Sequence, residues 1–426
     1  MPSAALLDDL DARGLVHDST DRSGLAERLA AGPITLYCGL DPTAPSLHLG
    51  NLQQLLLLRR FQLAGHRPIA LAGGATGLIG DPGGRSDERQ LLAVERVAAN
   101  VESISVQMAK MLDFEPGPTQ ARLVNNLDWT ASMTTIEFLR DVGKHMTVNV
   151  MLAKDSVRGR IEREAGISFT EFSYMLLQAN DFRVLYEREG CELQVAGSDQ
   201  WGNITAGIEL IRRSVGASVH GLTSPLLLRS DGSKFGKSVD GSIWLDPELT
   251  SPFQFFQFFM QVSDEELERL FLRFTLLPID ETREVLADHA AAPHLRRGHR
   301  RLAAEVTALV HGPDVLPPIE AATDVLFGGG DVTAASQAAF ELLAAEVPST
   351  RVSREEVTGA GAVEWVAATP LADSKGVVRR DLKGYSVNGQ RLDEHPTIEP
   401  SDWLHGRYVL LRRGRATHHL LVADPG

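Results

Sequence analysis

A chain of 426 residues, 43% of them hydrophobic, has material for two or three domain cores. Its net charge of −14 excludes a protein that coats nucleic acid by broad phosphate neutralisation, no apolar run reaches the roughly 20 residues of a membrane span, and residues 1–10 lack the basic start and long apolar core of a secretory signal. Two cysteines, Cys38 and Cys191, make no disulfide framework, and no Cys-x-x-Cys or His-x-x-x-His pair points to zinc. The expectation is a cytoplasmic protein in a reducing compartment, with no protein-bound zinc and no membrane partner.

In chain order, Ile34–Cys38 reads as an apolar, β-branched strand, followed by the turn Gly39-Leu40-Asp41-Pro42 and a helix through Leu52–Leu63. Short apolar runs at 68–72, 122–124, 193–196 and 226–228 alternate with helical patterns at 88–111 and 203–215. That alternation predicts βαβ units and a Rossmann-type doubly wound parallel sheet over residues 1–226, with ligands bound beyond the carboxyl ends of the strands. Residues 227–247 read as a loop and connector. From 248 to 327 helix formers dominate, with Pro252 suited to a first turn and Pro278 to a break. A linker over 328–348 begins with three glycines, and 349–426 reads as a small α+β module whose Asn388-Gly389 pair signals a hairpin.

Two segments carry the densest chemistry. At the start of the helix after the first strand, backbone N–H groups and the positive dipole end suit a phosphate. His48 in its first turn offers an imidazole donor, and Gly50 leaves room for a base or ribose. Far along the chain, Lys234-Phe235-Gly236-Lys237-Ser238 brings two ammonium groups, so the pair reads as a nucleoside triphosphate site. The Gly-Lys-Ser ending mimics a P-loop, but Asp231 stands where that pattern needs glycine and no helix pattern follows. Tyr174, Gln178 and Asp181 recur at i, i+4 and i+7 on one helix side, a stripe that alone fits solvent as well as a pocket wall. Gly197-Ser198-Asp199-Gln200 follows a strand, so Asp199 is placed to accept from ribose hydroxyls and Gln200 to orient a carboxylate. Cys38 reads as a ribose neighbour or a space-filling thiol. Trp201, Phe169 and the Phe253–Phe256 cluster read as packing.

His48-Leu49-Gly50-Asn51 and Lys234-Phe235-Gly236-Lys237-Ser238 resemble the "HIGH" and "KMSKS" motifs of class I aminoacyl-tRNA synthetases. The blocks Gly73–Pro82, Val142–His145, Tyr174–Phe182 and Gly197–Asn203 narrow the resemblance to the bacterial type of tyrosyl-tRNA synthetase, and it runs over essentially the whole chain. Asn51 departs from the histidine of the motif's name. The resemblance implies that Thr43, His48, Asn51, Arg85, Lys234 and Lys237 act on ATP, with Arg89 a second choice beside Arg85. Gly39, Asp41, Gly50, Gly197 and Asp199 would complete the ATP site. It also implies that Asp81, Tyr174 and Gln178 bind the ammonium of tyrosine, that Tyr37 and Asp181 bind its phenol, and that Gln200 sits near its carboxylate. ATP with Mg²⁺, tyrosine and a cognate tRNA are the implied reactants. Val142–Met146 and Phe169 imply a homodimer, and the C-terminal segment resembles an RNA-binding module. Its basic clusters, at Lys375, Arg379, Arg380 and Lys383 and at Arg407, Arg412, Arg413 and Arg415, and that at Arg296–Arg301, read individually as solvated surface. Two other readings are a tryptophanyl-tRNA synthetase, which needs no phenol clamp, and a non-catalytic RNA-binding paralogue.

Overall fold

The computed structural model describes residues 5–83, 91–161, 166–228, 235–238, 241–328, 331–414 and 416–424. The chain groups into two compact units, residues 1–251 with 258–306, and residues 252–257 with 307–426.

The first unit is built on a six-stranded sheet in the order Asp18–Ser19, His220–Ser224, Cys191–Gly197, Thr35–Leu40, Arg67–Ala72, Arg122–Asn125. All neighbouring pairs are parallel except the edge pair made by Asp18–Ser19. Residues 68–72 are buried without interruption, as a strand covered on both faces requires. The chain runs from Thr35–Leu40 outward in one direction and from Cys191–Gly197 outward in the other, so the topological switch lies between these two strands. A ligand crevice belongs at their carboxyl ends.

One predicted strand moves. The apolar run at 226–228 is not a strand; the sheet takes His220–Ser224 instead. Its two hydroxyls are satisfied, for Ser224 Oγ accepts from Gln54 at 2.9 Å and Gln53 at 3.2 Å, while Thr223 Oγ1 accepts the Asp18 N–H. Hydrophobicity was therefore a misleading guide to this strand.

Helix Leu49–Leu63 buries leucines on every side, Leu52, Leu55, Leu56, Leu57 and Leu58 among them. Each such side chain contributes roughly 1.5–3 kcal/mol on burial, and a helix apolar all round must lie inside. Helix Phe169–Glu189 starts at the Ser168 cap and stops at Gly190, whose φ of +61° suits glycine. Its middle is buried too, including Tyr174 and Asp181, so these residues do not form a solvent-facing stripe. Helices Asp264–Phe274 and Ile279–Ala291 follow. The connection between them is held by Arg13, donating to Leu277 O at 2.9 Å, and by Arg60, donating to Thr275 O at 2.5 Å.

The second unit contains helices Leu316–Thr323 and Gln337–Glu346 and a five-stranded sheet. The sheet order is Gln390–Arg391, Tyr385–Val387, Tyr408–Arg413, Thr417–Ala423, Ser349–Val352, the last pair parallel. Asn388 (φ +46°) and Gly389 (φ +85°) form the expected hairpin turn. Tyr385, Val387, Val409, Leu411 and Leu421 pack with Val357, Val366, Val378 and Trp403 into its core. Phe255 and Phe256 are buried, as their packing role required.

Candidate active site

At the switch point, strand Thr35–Leu40 carries Tyr37 inward, 1% exposed, with its ring 5.4 Å from that of Phe182. Its hydroxyl is buried with no hydrogen-bond partner, and both burial and the nearby Asp181 charge hold its proton on. Asp181 accepts from Trp129 Nε1 at 2.8 Å and from Asn126 Nδ2 at 2.9 Å. Burial pushes its carboxyl up to about 7, against the lowering effect of these two donors.

Asn126 is a hub. Its oxygen accepts from Ala75 N at 2.7 Å and its amide also donates to Thr76 Oγ1 at 3.0 Å. Thr76 in turn donates to Asp41 Oδ1 at 2.7 Å, and Tyr174 OH donates to Asp41 Oδ2 at 2.8 Å. A continuous chain thus links Asp181, Asn126, Thr76, Asp41 and Tyr174. It ties Asp41, expected among the ATP ligands, to the residues expected around the amino acid. The glycines here are steric necessities: a Cβ on Gly73 would lie 2.1 Å from Asp41 Oδ1, and one on Gly74 2.2 Å from Asn125 Oδ1.

His48 is the N-cap of helix Leu49–Leu63, not a first-turn residue. Its Nδ1 accepts from Gly50 N at 3.1 Å and Asn51 N at 3.4 Å, while Asn51 Oδ1 accepts from His48 N at 3.0 Å. Those two backbone N–H groups are therefore engaged, which corrects the expectation that they face a phosphate. The reciprocal benefit is chemical: with Nδ1 accepting, the ring proton resides on Nε2, which becomes the donor. A Cβ on Gly50 would sit 2.9 Å from His48 Cε1, so the glycine makes room for this ring.

The second motif lies against the first. His48 and Trp244 form a β-bridge, Leu245 N donates to Leu47 O at 2.8 Å, and Ile243 N donates to Gly236 O at 2.8 Å. Gly236, at φ +81°, abuts Leu49. Lys237 begins a two-stranded ribbon, Lys237–Ser238 with Gly241–Ser242. Lys234, Arg85, Arg89 and Arg415 lie outside the described residues, as does the side chain of Lys237.

Asp81 Oδ2 accepts from Gln200 Nε2, whose Oε1 accepts from Asn203 Nδ2 at 2.9 Å. Asp81 Oδ1 also takes Gly83 N at 3.0 Å. Gln178 Oε1 is buried without a hydrogen-bond partner. Asp199 and Thr43 are exposed, as is the backbone of Gly39. Gly197 makes room for Asp199, whose Oδ1 would stand 2.7 Å from a Cβ there. The Cys38 thiol is buried, and burial pushes its pKa up to about 12. Phe169 is 77% exposed, correcting its reading as packing.

Sequence reasoning missed Asn126, Trp129, Thr76 and Asn203. The doublet Asn125-Asn126 after a strand, followed by a tryptophan one helical turn on, was the only available signal for the first two.

Residues 29–328 match the family model of tRNA synthetases class I (W and Y), and residues 339–421 match that of the tyrosine–tRNA ligase SYY-like C-terminal domain. A tyrosine–tRNA ligase of Opitutus terrae is 50% identical over 418 residues, 97% of this chain and 98% of its own length. One of Mycobacterium tuberculosis is 49% identical over 418 residues, 97% of either chain. Among solved structures, a C-terminally truncated mitochondrial tyrosyl-tRNA synthetase of Aspergillus nidulans superposes with a TM-score of 0.66 at 33% identity, over 72% of this chain and 90% of that one. A tryptophanyl-tRNA synthetase of Encephalitozoon cuniculi shares the fold, with a TM-score of 0.55 at 16% identity over 73% and 90% of the two chains. Fold and site define a class I aminoacyl-tRNA synthetase, and the chain belongs, within that class, to the tyrosine–tRNA ligase family. The full-length likeness decides against the tryptophanyl and non-catalytic readings.

Proposed function

We propose that this enzyme reads the phenol of tyrosine with Tyr37 and Asp181 and activates the amino acid in the crevice between the two central strands. One observation carries the reading: a buried, unpartnered Tyr37 hydroxyl beside a buried Asp181 carboxylate already held by two donors. Asn126 and Trp129 are donors only towards Asp181, so its remaining lone pairs call for another donor, which a phenol O–H supplies. Tyr37 then adds a neutral hydrogen bond to the same oxygen. Tyr174, Gln178 and Asp81 take the ammonium, and Gln200, fixed by Asn203 and Asp81, faces the carboxylate.

The carboxylate of tyrosine is ionised at neutral pH and attacks the α-phosphorus of ATP without a general base. A P–O bond forms, the bond to pyrophosphate breaks, and tyrosyl-adenylate remains. What the reaction needs is alignment and neutralisation of charge on the leaving group. His48 Nε2–H donates to that charge, supported by Thr43, Arg85, Lys234 and Lys237. Asp199 and Gly197 hold the ribose. Mg²⁺ enters with ATP as part of the substrate. A hydroxyl of the terminal tRNA ribose then attacks the tyrosyl carbonyl and AMP leaves.

The helical segment 248–327 and the module 349–426 contact the tRNA, the latter through Arg379, Arg380 and Lys383, which are all exposed. The exposed apolar residues Ile136, Leu139, Val148, Val150 and Phe169 support a homodimer. The work is done in the cytoplasm; among the described residues no helix is long and apolar enough to cross a membrane. Replacing Tyr37 by Phe tests the phenol reading: kcat/KM for tyrosine should fall about tenfold and that for phenylalanine should stay unchanged. Equal losses for both amino acids would refute it.

A further inference from the structure

Away from the crevice, the first unit gathers Asp264, His289 and His299 so that one ligand atom from each lies within 4.8 Å of the others. Asp264 opens helix Asp264–Phe274, His289 sits in the last turn of Ile279–Ala291, and His299 sits in the first turn of Arg297–His311. Both imidazoles are buried, whereas the Asp264 side chain is 58% exposed and opens the cluster to solvent. Both ring nitrogens of His289 and Nδ1 of His299 have no hydrogen-bond partner. A buried orphan costs about 1–3 kcal/mol, and an ion beside Asp264 would relieve the one at His289 Nε2.

We infer that Asp264, His289 and His299 form a binding site for one divalent transition-metal ion, with zinc the best match. Asp264 Oδ1 lies 3.4 Å from His289 Nε2 and 3.3 Å from His299 Nε2. Ligands about 2.0–2.1 Å from a tetrahedral zinc ion are separated by about 3.4 Å, so both edges already have the length that a shared ion requires. Two imidazoles with one carboxylate favour zinc, cobalt or nickel over magnesium or calcium, which prefer oxygen donors. The exposed side leaves the fourth position to water. Gly298 belongs to the construction, because a Cβ there would come within 3.0 Å of His289 Cγ.

His299 Nε2 also lies 2.9 Å from Val262 O, to which its N–H donates when no metal is bound. Metal binding at Nε2 moves that proton to Nδ1, and Arg296, 3.4 Å from Val262 O, keeps the carbonyl partnered. The absence of a His-x-x-x-His motif in the sequence is no obstacle, since three separate helices supply the donors. The inference is independent of the tyrosine reading, because no substrate is involved.

The test is titration of tag-free, EDTA-dialysed full-length protein with Co²⁺ in the absence of ATP, followed by visible absorption and by the thermal midpoint. One equivalent should bind with d–d bands of a low-coordinate nitrogen and oxygen site, Zn²⁺ should displace it, and the midpoint should rise. Asp264→Asn should bind at least tenfold more weakly, and His289→Gln should lose the bands. Absence of a saturable one-equivalent uptake, or unchanged uptake in Asp264→Asn, would overturn the site. Because Asp264 is exposed, that variant decides the matter even where His289→Gln does not fold.

Discussion

The indole N–H of Trp129 donates to Oδ1 of Asp181 at 2.8 Å across 52 residues of sequence. This bond aims the carboxylate and stabilises its charged form. Trp129→Phe keeps the aromatic bulk in the core formed with Ile69, Leu71 and Phe182 and removes only the donor. A hydrogen bond to a charged group contributes about 1.5–3 kcal/mol, so kcat/KM for tyrosine should fall roughly 10- to 100-fold. Steady-state kinetics should show the KM for ATP unaltered.

The same carboxylate sets a pH dependence. Burial raises Asp181 from its ordinary value to about 7. The folded value exceeds the unfolded one, so the folded chain binds this proton more tightly. The group's contribution to stability is then complete below the ordinary carboxylate range and is lost as pH rises through about 7. Asp181→Asn removes that loss, so denaturant midpoints should show it gaining on the wild type as pH rises from the ordinary carboxylate range to about 7 and keeping a constant lead above that. Tyrosine recognition should run the opposite way, because the phenol donates to the ionised form. In the wild type KM for tyrosine falls as pH rises through about 7, and Asp181→Asn binds tyrosine weakly at every pH.

Asn51 stands where its family's motif name has histidine, and its geometry is that of a cap. Asn51→Ala removes the acceptor for His48 N and should lower stability by about 1 kcal/mol in urea denaturation. Asn51→Asp, which keeps an acceptor oxygen in the same place, should restore most of the loss. Equal stability of Asn51→Ala and the wild type would remove the capping role.

Phe169 opens the helix that carries Tyr174 and Asp181, yet it is 77% exposed. If a second copy of the chain covers it, Phe169→Asp should shift sedimentation from dimer to monomer at micromolar concentration. An unchanged dimer would place the interface elsewhere.

How far the sequence spoke for itself depended on whether the relevant contacts were local. The Asn388-Gly389 turn, the cap region at His48 and the glycines after the first two central strands are short-range features, and their residue types announce them. Asp181 was legible as a candidate, but its donors were not: Asn126 and Trp129 reach it across more than 50 residues, from the segment that follows strand Arg122–Asn125. Strand His220–Ser224 was obscured because its Ser and Thr hydroxyls are satisfied by Gln53, Gln54 and Asp18, a compensation invisible to hydropathy. The Asp264, His289 and His299 cluster follows the same rule, since its members come from three helices.

ATP–pyrophosphate exchange without tRNA, run in parallel with tyrosine, tryptophan and phenylalanine, tests the central claim most directly. Exchange should be driven by tyrosine, with phenylalanine at least about a hundredfold weaker because it leaves the Tyr37 and Asp181 groups unpaired, and with tryptophan silent. Exchange driven by tryptophan, or none with any of the three, would contradict a crevice built to read a phenol and form an adenylate.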